Sequence, residues 1–131
     1  MPTVDLVDET YLRAPLETVA AVVHDRARWT RWWPDLVPAI FMDRGAAGIR
    51  WNVTGRLVGS MEIWLEPYEP PLGGVLLHFY LRADPTAINS ATHPAPMAGR
   101  AAAEESARWA TSSKHNFWAL KDELEASVQT T

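Results

Sequence analysis

His78 and Glu62, with Tyr80 and Arg82 close by in the sequence, are the side chains best suited to moving a proton. A relay of that kind would serve enolisation or dehydration of a carbonyl compound, where a positioned base and acid act together. Both residues fall on the polar side of alternating segments, beside Glu66 and Arg82, so a solvated ladder across two strands is the simpler reading. The other histidines, His24, His93 and His115, are scattered and show no H-E-x-x-H spacing. There is no cysteine, which removes disulfides and thiolate metal sites. There is also no G-x-S-x-G elbow and no glycine-rich phosphate cradle. The expectation is therefore no metal, no cofactor and no nucleophile of a recognisable type.

The remaining chemistry is aromatic. The chain carries seven tryptophans in 131 residues, each a large apolar ring with one N–H that wants an acceptor. Such rings build a bulky core or the walls of a ligand site. The net charge of −4 and the absence of a basic run disfavour nucleic acid and anionic membranes as partners. The opening MPTVDLVDE is acidic and lacks a secretory pattern, and no apolar run approaches the ~20 residues of a membrane span. A cytoplasmic location is the expectation.

The elements that must position these rings can be read from periodicity. Residues 4–13 alternate as a strand that ends at Ala14-Pro15. Pro15 opens a short helix to about Asp25, with Leu16, Val19, Ala20 and Val23 on one face. In the next helix Trp29, Trp32 and Trp33 share a face, and Pro34 stops it. From Val37 to Asp84 the pattern is β throughout. Ile49, Trp51 and Val53 share one side, as do Met61, Ile63 and Leu65, and then Leu77, Phe79 and Leu81. With the turn placed at Val58-Gly59, either two or three residues fit, which leaves the register between Trp51 and Ile63 open. A polar, proline-containing loop over 84–96 has the length of a lid or mobile segment. Residues 98–127 then read as one helix with Ala102, Ser106, Trp109, Ser113, Asn116, Phe117, Leu120 and Leu124 on one face.

The order strand, two short helices, several antiparallel strands and long helix gives a single α+β domain over residues 1–131. The stretch YLRAPLETVAAVVHDRARWTRWWPDL resembles the opening of the START-like (SRPBCC, helix-grip) superfamily, and GRLVGSMEIWLEP and GGVLLHFYLRADP resemble its closing strand pair. The chain is especially similar to the polyketide cyclase/dehydrase and lipid-transport-like branch. The resemblance implies a curved antiparallel sheet wrapped around the C-terminal helix, with an apolar ligand held between them. Members usually have seven strands, whereas about five are legible here, implying a smaller or more open cavity. No catalytic motif is carried over.

On this expectation Trp33, Trp51, Leu77, Phe79, Trp109, Ser113 and Asn116 line a site for a hydrophobic, polyketide- or lipid-like small molecule. Plain core is the competing reading for each of the apolar ones. The N-terminal half of the long helix presents small side chains, and Ser106, Ser113 and Asn116 would want partners in a dry interior, where an unpaired polar group costs ~1–3 kcal/mol. Two rivals belong to other classes: a cyclase or dehydratase acting by acid–base catalysis in the same cavity, and a module that binds another protein. Trp64 and Trp118, opposite the apolar faces of their elements, would then mark an association surface, including that of a homodimer.

Overall fold

A computed structural model describes residues 2–129; Met1, Thr130 and Thr131, part of the expected domain, lie outside the described residues. The chain runs β1 (Val4–Leu12), α1 (Leu16–Val23), α2 (Arg26–Trp32), β2 (Leu36–Asp43), a 3-10 turn (Gly45–Ala47), β3 (Gly48–Gly55), β4 (Leu57–Pro67), β5 (Val75–Pro85) and α3 (Gly99–Gln129). The five strands form one sheet in the order β1-β5-β4-β3-β2, with every neighbouring pair antiparallel. The first strand thus closes on the last, and the two short helices carry the chain from one edge of the sheet to the other. This is the expected α+β helix-grip architecture, with five strands.

Alternation explains which face is covered. Ile49, Trp51 and Val53 of β3, Met61, Ile63 and Leu65 of β4, and Leu77, Phe79 and Leu81 of β5 are all buried. From α3 the buried row is Glu105, Trp109, Ser113, Phe117, Leu120 and Leu124, at helical spacing. Burying apolar surface of this extent, at ~25 cal/mol per Å², is what holds helix to sheet. Pairing settles the open register: Trp51 faces Met61 and Ile49 faces Ile63. The turn lies upstream of the expected Val58-Gly59, at Gly55-Arg56, where Gly55 takes a φ of +110°. Gly59 instead lies within β4, paired with Val53 and Ala83, where a Cβ would stand 2.2 Å from the carbonyl oxygen of Arg82.

Specific polar contacts fix the helices. Asp25 caps α2 by accepting from the backbone N–H of Ala27 (3.0 Å), and the Trp29 indole donates to the Val23 carbonyl (2.7 Å). Lys114 of α3 pairs with Asp8 (2.7 Å), and Lys121 donates to the carbonyl of Tyr11 (2.8 Å), which ties α3 to β1. The proline-containing loop is not free of the body. Thr86 Oγ1 donates to the Gly55 carbonyl (2.7 Å), the Gly55 N–H donates to Ala91 (3.0 Å), and the Thr86 N–H donates to Arg56 (3.1 Å). The segment expected as a lid therefore braces the β3–β4 turn.

Candidate functional site

The space between sheet and α3 is occupied by a continuous aromatic cluster. Trp33 stacks on Phe79 (ring centroids 6.0 Å, 14° between planes), and Phe79 meets Phe117 of α3 at 5.2 Å. Trp51 is met edge-on by Trp29 at 5.2 Å and by Trp33 at 5.3 Å. Trp32 meets both Trp33 (5.5 Å) and Phe117 (5.7 Å). Four of the residues expected at a ligand site, Trp33, Trp51, Leu77 and Phe79, are thus brought into one buried core in which rings fill the centre. One polar atom in it is unpaired: the Nε1–H of Trp51, fully buried, has no acceptor.

Open space begins where this cluster ends. A cleft of about 110 Å³ is lined by Trp32, Pro34, Asp35, Arg56, Arg108, Trp109 and Ser112. Three elements build it. The C-terminal end of α2 and the following Pro34-Asp35 turn supply one wall, with Trp32. The β3–β4 turn, braced by the Thr86 loop, supplies Arg56. The third and fourth turns of α3 supply Arg108, Trp109 and Ser112. The cleft is the mouth of the grip, with two indoles among its walls.

Behind the mouth lies a residue that the sequence reading left out. Glu105 is buried on α3, and its Oε1 accepts from the Trp109 Nε1–H at 2.9 Å. Arg56 Nε lies 3.8 Å from Oε1, and Arg108 Nη1 lies 3.6 Å from Oε2. Arg56 Nη1 is also 3.9 Å from Asp35. These are ion-pair distances longer than hydrogen bonds, so the carboxylate orients the guanidiniums without consuming their N–H donors. Glu105 precedes Trp109 by four residues on the buried stripe, which places the indole and the carboxylate on one face. That spacing was the available signal; its charge made it look like a surface residue.

The other expected site residues separate. Trp109 lines the mouth. Ser113, the next residue along the same stripe, is buried beneath it. Asn116 donates its amide N–H to the Trp32 carbonyl at 2.9 Å, which clips the end of α2 to α3. Trp32, rather than the more buried Trp33, is the α2-end ring on the cleft.

His78 and Glu62 do not meet. Across the strands Glu62 faces Tyr80, and it binds Arg44 at 2.7 Å. His78 faces Trp64, whose ring stacks on it at 4.3 Å, and its Nε2 lies 3.0 Å from Glu66. The imidazole is on the outer face of the sheet yet buried, because Trp64 and Tyr80 flank it. His93 and His115 are exposed. A larger trough of about 270 Å³, lined by Arg50, Ser60, Met61, Glu62, Tyr80 and Arg82, runs along that outer face. It is open to solvent, and no second layer packs over it to enclose a ligand.

Among the described residues no cluster of three or more His, Asp or Glu side chains is placed to hold a metal ion, and no helix is long and apolar enough to cross a membrane. No family model matches the chain, and neither does any curated protein. Solved structures do. The chain is similar to DR_A0006 from Deinococcus radiodurans, with a TM-score of 0.62 at 12% identity over 94% of this chain and 98% of that one. It is also similar to the Aha1 dimer from Colwellia psychrerythraea, with a TM-score of 0.59 at 14% identity over 93% and 96% of the two chains. At these identities the likeness is one of fold.

Proposed function

We propose that this domain binds a hydrophobic small molecule at the mouth of the grip, between Trp32 and Trp109. The observation that carries this reading is the cleft itself, where the Trp32 and Trp109 indoles and Pro34 stand beside polar groups of Asp35, Arg56, Arg108 and Ser112. Trp33, Trp51, Leu77 and Phe79 belong to the packed core that continues inward from it, and Ser113 and Asn116 follow Trp109 along α3. The cleft takes a ring-sized group as it stands. A longer polyketide- or lipid-like molecule enters only if Trp32, Trp33 or Trp109 changes rotamer. Native mass spectrometry of protein purified from its source tests this: a co-purifying small molecule supports it. A clean apo mass, with no thermal shift from aromatic polyketides or fatty acids, contradicts it.

A second reading, a partner-binding module, is favoured by β2. This edge strand leaves Val37, Ile40, Phe41 and Met42 exposed beside an unpaired backbone edge. Antiparallel pairing with a second copy would pair that edge and set these side chains beside those of the second copy in a self-complementary contact. One structure of similar fold is described as a dimer, which fits this reading.

A further inference from the structure

We infer that the ligand class suited to this mouth is an aromatic carboxylate, a flat ring bearing an anionic oxygen pair. The inference rests on the reading of the mouth as a binding site and adds the chemistry of what fills it. Two features select the ring. The volume of about 110 Å³ matches one six-membered aromatic ring with a small substituent, well below the ~300–1,000 Å³ of pockets for larger ligands. Trp32 and Trp109 offer faces and edges against which a second ring packs at the usual 4.5–7 Å centroid spacing.

Arg56 and Arg108 select the carboxylate. Each guanidinium carries five N–H donors in a planar fork that matches a carboxylate. Glu105 engages Nε of Arg56 and Nη1 of Arg108 from behind, at 3.8 and 3.6 Å, and Asp35 stands 3.9 Å from Nη1 of Arg56. None of these contacts is short enough to be a hydrogen bond, so donors on both forks remain for an acceptor in the cleft. The fixed charges of this group nearly cancel. Selection therefore comes from the geometry of the N–H donors rather than from a net positive field, and binding depends only moderately on salt. Asp35 is well exposed and water screens it, while Glu105 is buried and already accepts from the Trp109 N–H.

The test is a titration of the ¹⁵N-labelled chain with benzoate, benzamide, cyclohexanecarboxylate and decanoate, following the tryptophan indole N–H resonances. The wild-type chain is run beside Arg108→Gln and Arg56→Gln, whose folding is checked by their amide spectra. Both arginine side chains are about half exposed, so neither change empties the core. The expected result is that benzoate shifts the Trp109 indole and binds about tenfold more tightly than benzamide, a preference lost in Arg108→Gln. Cyclohexanecarboxylate binds more weakly than benzoate. If benzamide and benzoate shift the same indole with equal affinity, the carboxylate inference is overturned and the apolar-ligand reading stands. If neither the ring compounds nor decanoate moves the Trp32 or Trp109 indole, both are overturned.

Discussion

The indole N–H of Trp109 donates to the buried carboxylate of Glu105 at 2.9 Å, one helical turn away on α3. This bond sets the ring that walls the mouth and, through the same carboxylate, the two arginines beside it. Glu105→Ala leaves a buried indole donor without an acceptor, and the expected loss is about 1–3 kcal/mol. Glu105→Gln keeps an acceptor and loses less. Urea unfolding of the three proteins checks the order; equal stability of all three contradicts the role given to the carboxylate.

The contact of Phe117 with Phe79 and Trp32 joins helix to sheet at the centre of the core. Phe117→Ala is expected to cost about 3–5 kcal/mol, the range for removing a fully buried ring. Thermal unfolding reads the loss, and a cost below about 1 kcal/mol would mean that α3 is held elsewhere.

Gly59 is fixed by close approach rather than by φ. A methyl group there meets the Arg82 carbonyl and the Ala83 Cα at 2.2 and 2.7 Å, both backbone atoms that can yield only by shifting β5. Gly59→Ala is expected to destabilise by about 1–3 kcal/mol. A neutral outcome in denaturant unfolding would show that the β4–β5 ladder is looser than described.

His24 gives a signed pH dependence. Its Nδ1 lies 2.7 Å from the Ala20 carbonyl and its Nε2 lies 2.9 Å from Asp43, so only the doubly protonated ring satisfies both acceptors. Burial pulls its pKa down, but the hydrogen bonds to Asp43 and Ala20 and the Asp43 charge together raise it above 6.5. Asp43 moves the other way, below 3.8, because it accepts from His24 and from the Gly45 N–H. The His24 contribution is therefore fully present below about pH 6.5 and fades as pH rises through the raised value. That of Asp43 is present above about pH 3.8 and fades as pH falls through its lowered value. Melting temperature measured from pH 5 to 9 should fall on the alkaline side more in the wild type than in Asp43→Asn. Parallel curves contradict the pairing.

The β2 edge makes the partner reading measurable. Phe41→Lys puts a charge into the exposed apolar strand and should abolish concentration-dependent association. Sedimentation velocity over a hundredfold range of concentration decides this. A monomer at every concentration in the wild type removes the homodimer.

The frame was legible because alternation in β3, β4 and β5 and the stripe on α3 are strong periodic signals, carried by residues such as Phe79 and Phe117 whose burial leaves no choice of face. The β3–β4 turn was misplaced because Gly55 and Gly59 are equally good turn residues by type. Only the sheet shows that one supplies a positive φ and the other a close contact. Glu105 was missed because charge predicts exposure, and its burial depends on Arg56, far off in the sequence, as well as on Arg108 and Trp109 of its own helix. The Trp33, Trp51, Leu77 and Phe79 group was expected as cavity wall or core. Residue types alone cannot say how much room five buried indoles leave, since that depends on rotamers such as the stacking of Trp33 on Phe79.

The central claim is that a small molecule seats between Trp32 and Trp109. It is tested most directly by following the Trp109 indole resonance, assigned by its loss in Trp109→Phe, during a benzoate titration. The account predicts a saturable shift of that resonance, with the indoles of the outer tryptophans, Trp64 and Trp118, unmoved. Shifts confined to Trp64 or Trp118, or none at Trp32 or Trp109 with saturating benzoate, benzamide or decanoate, would contradict it.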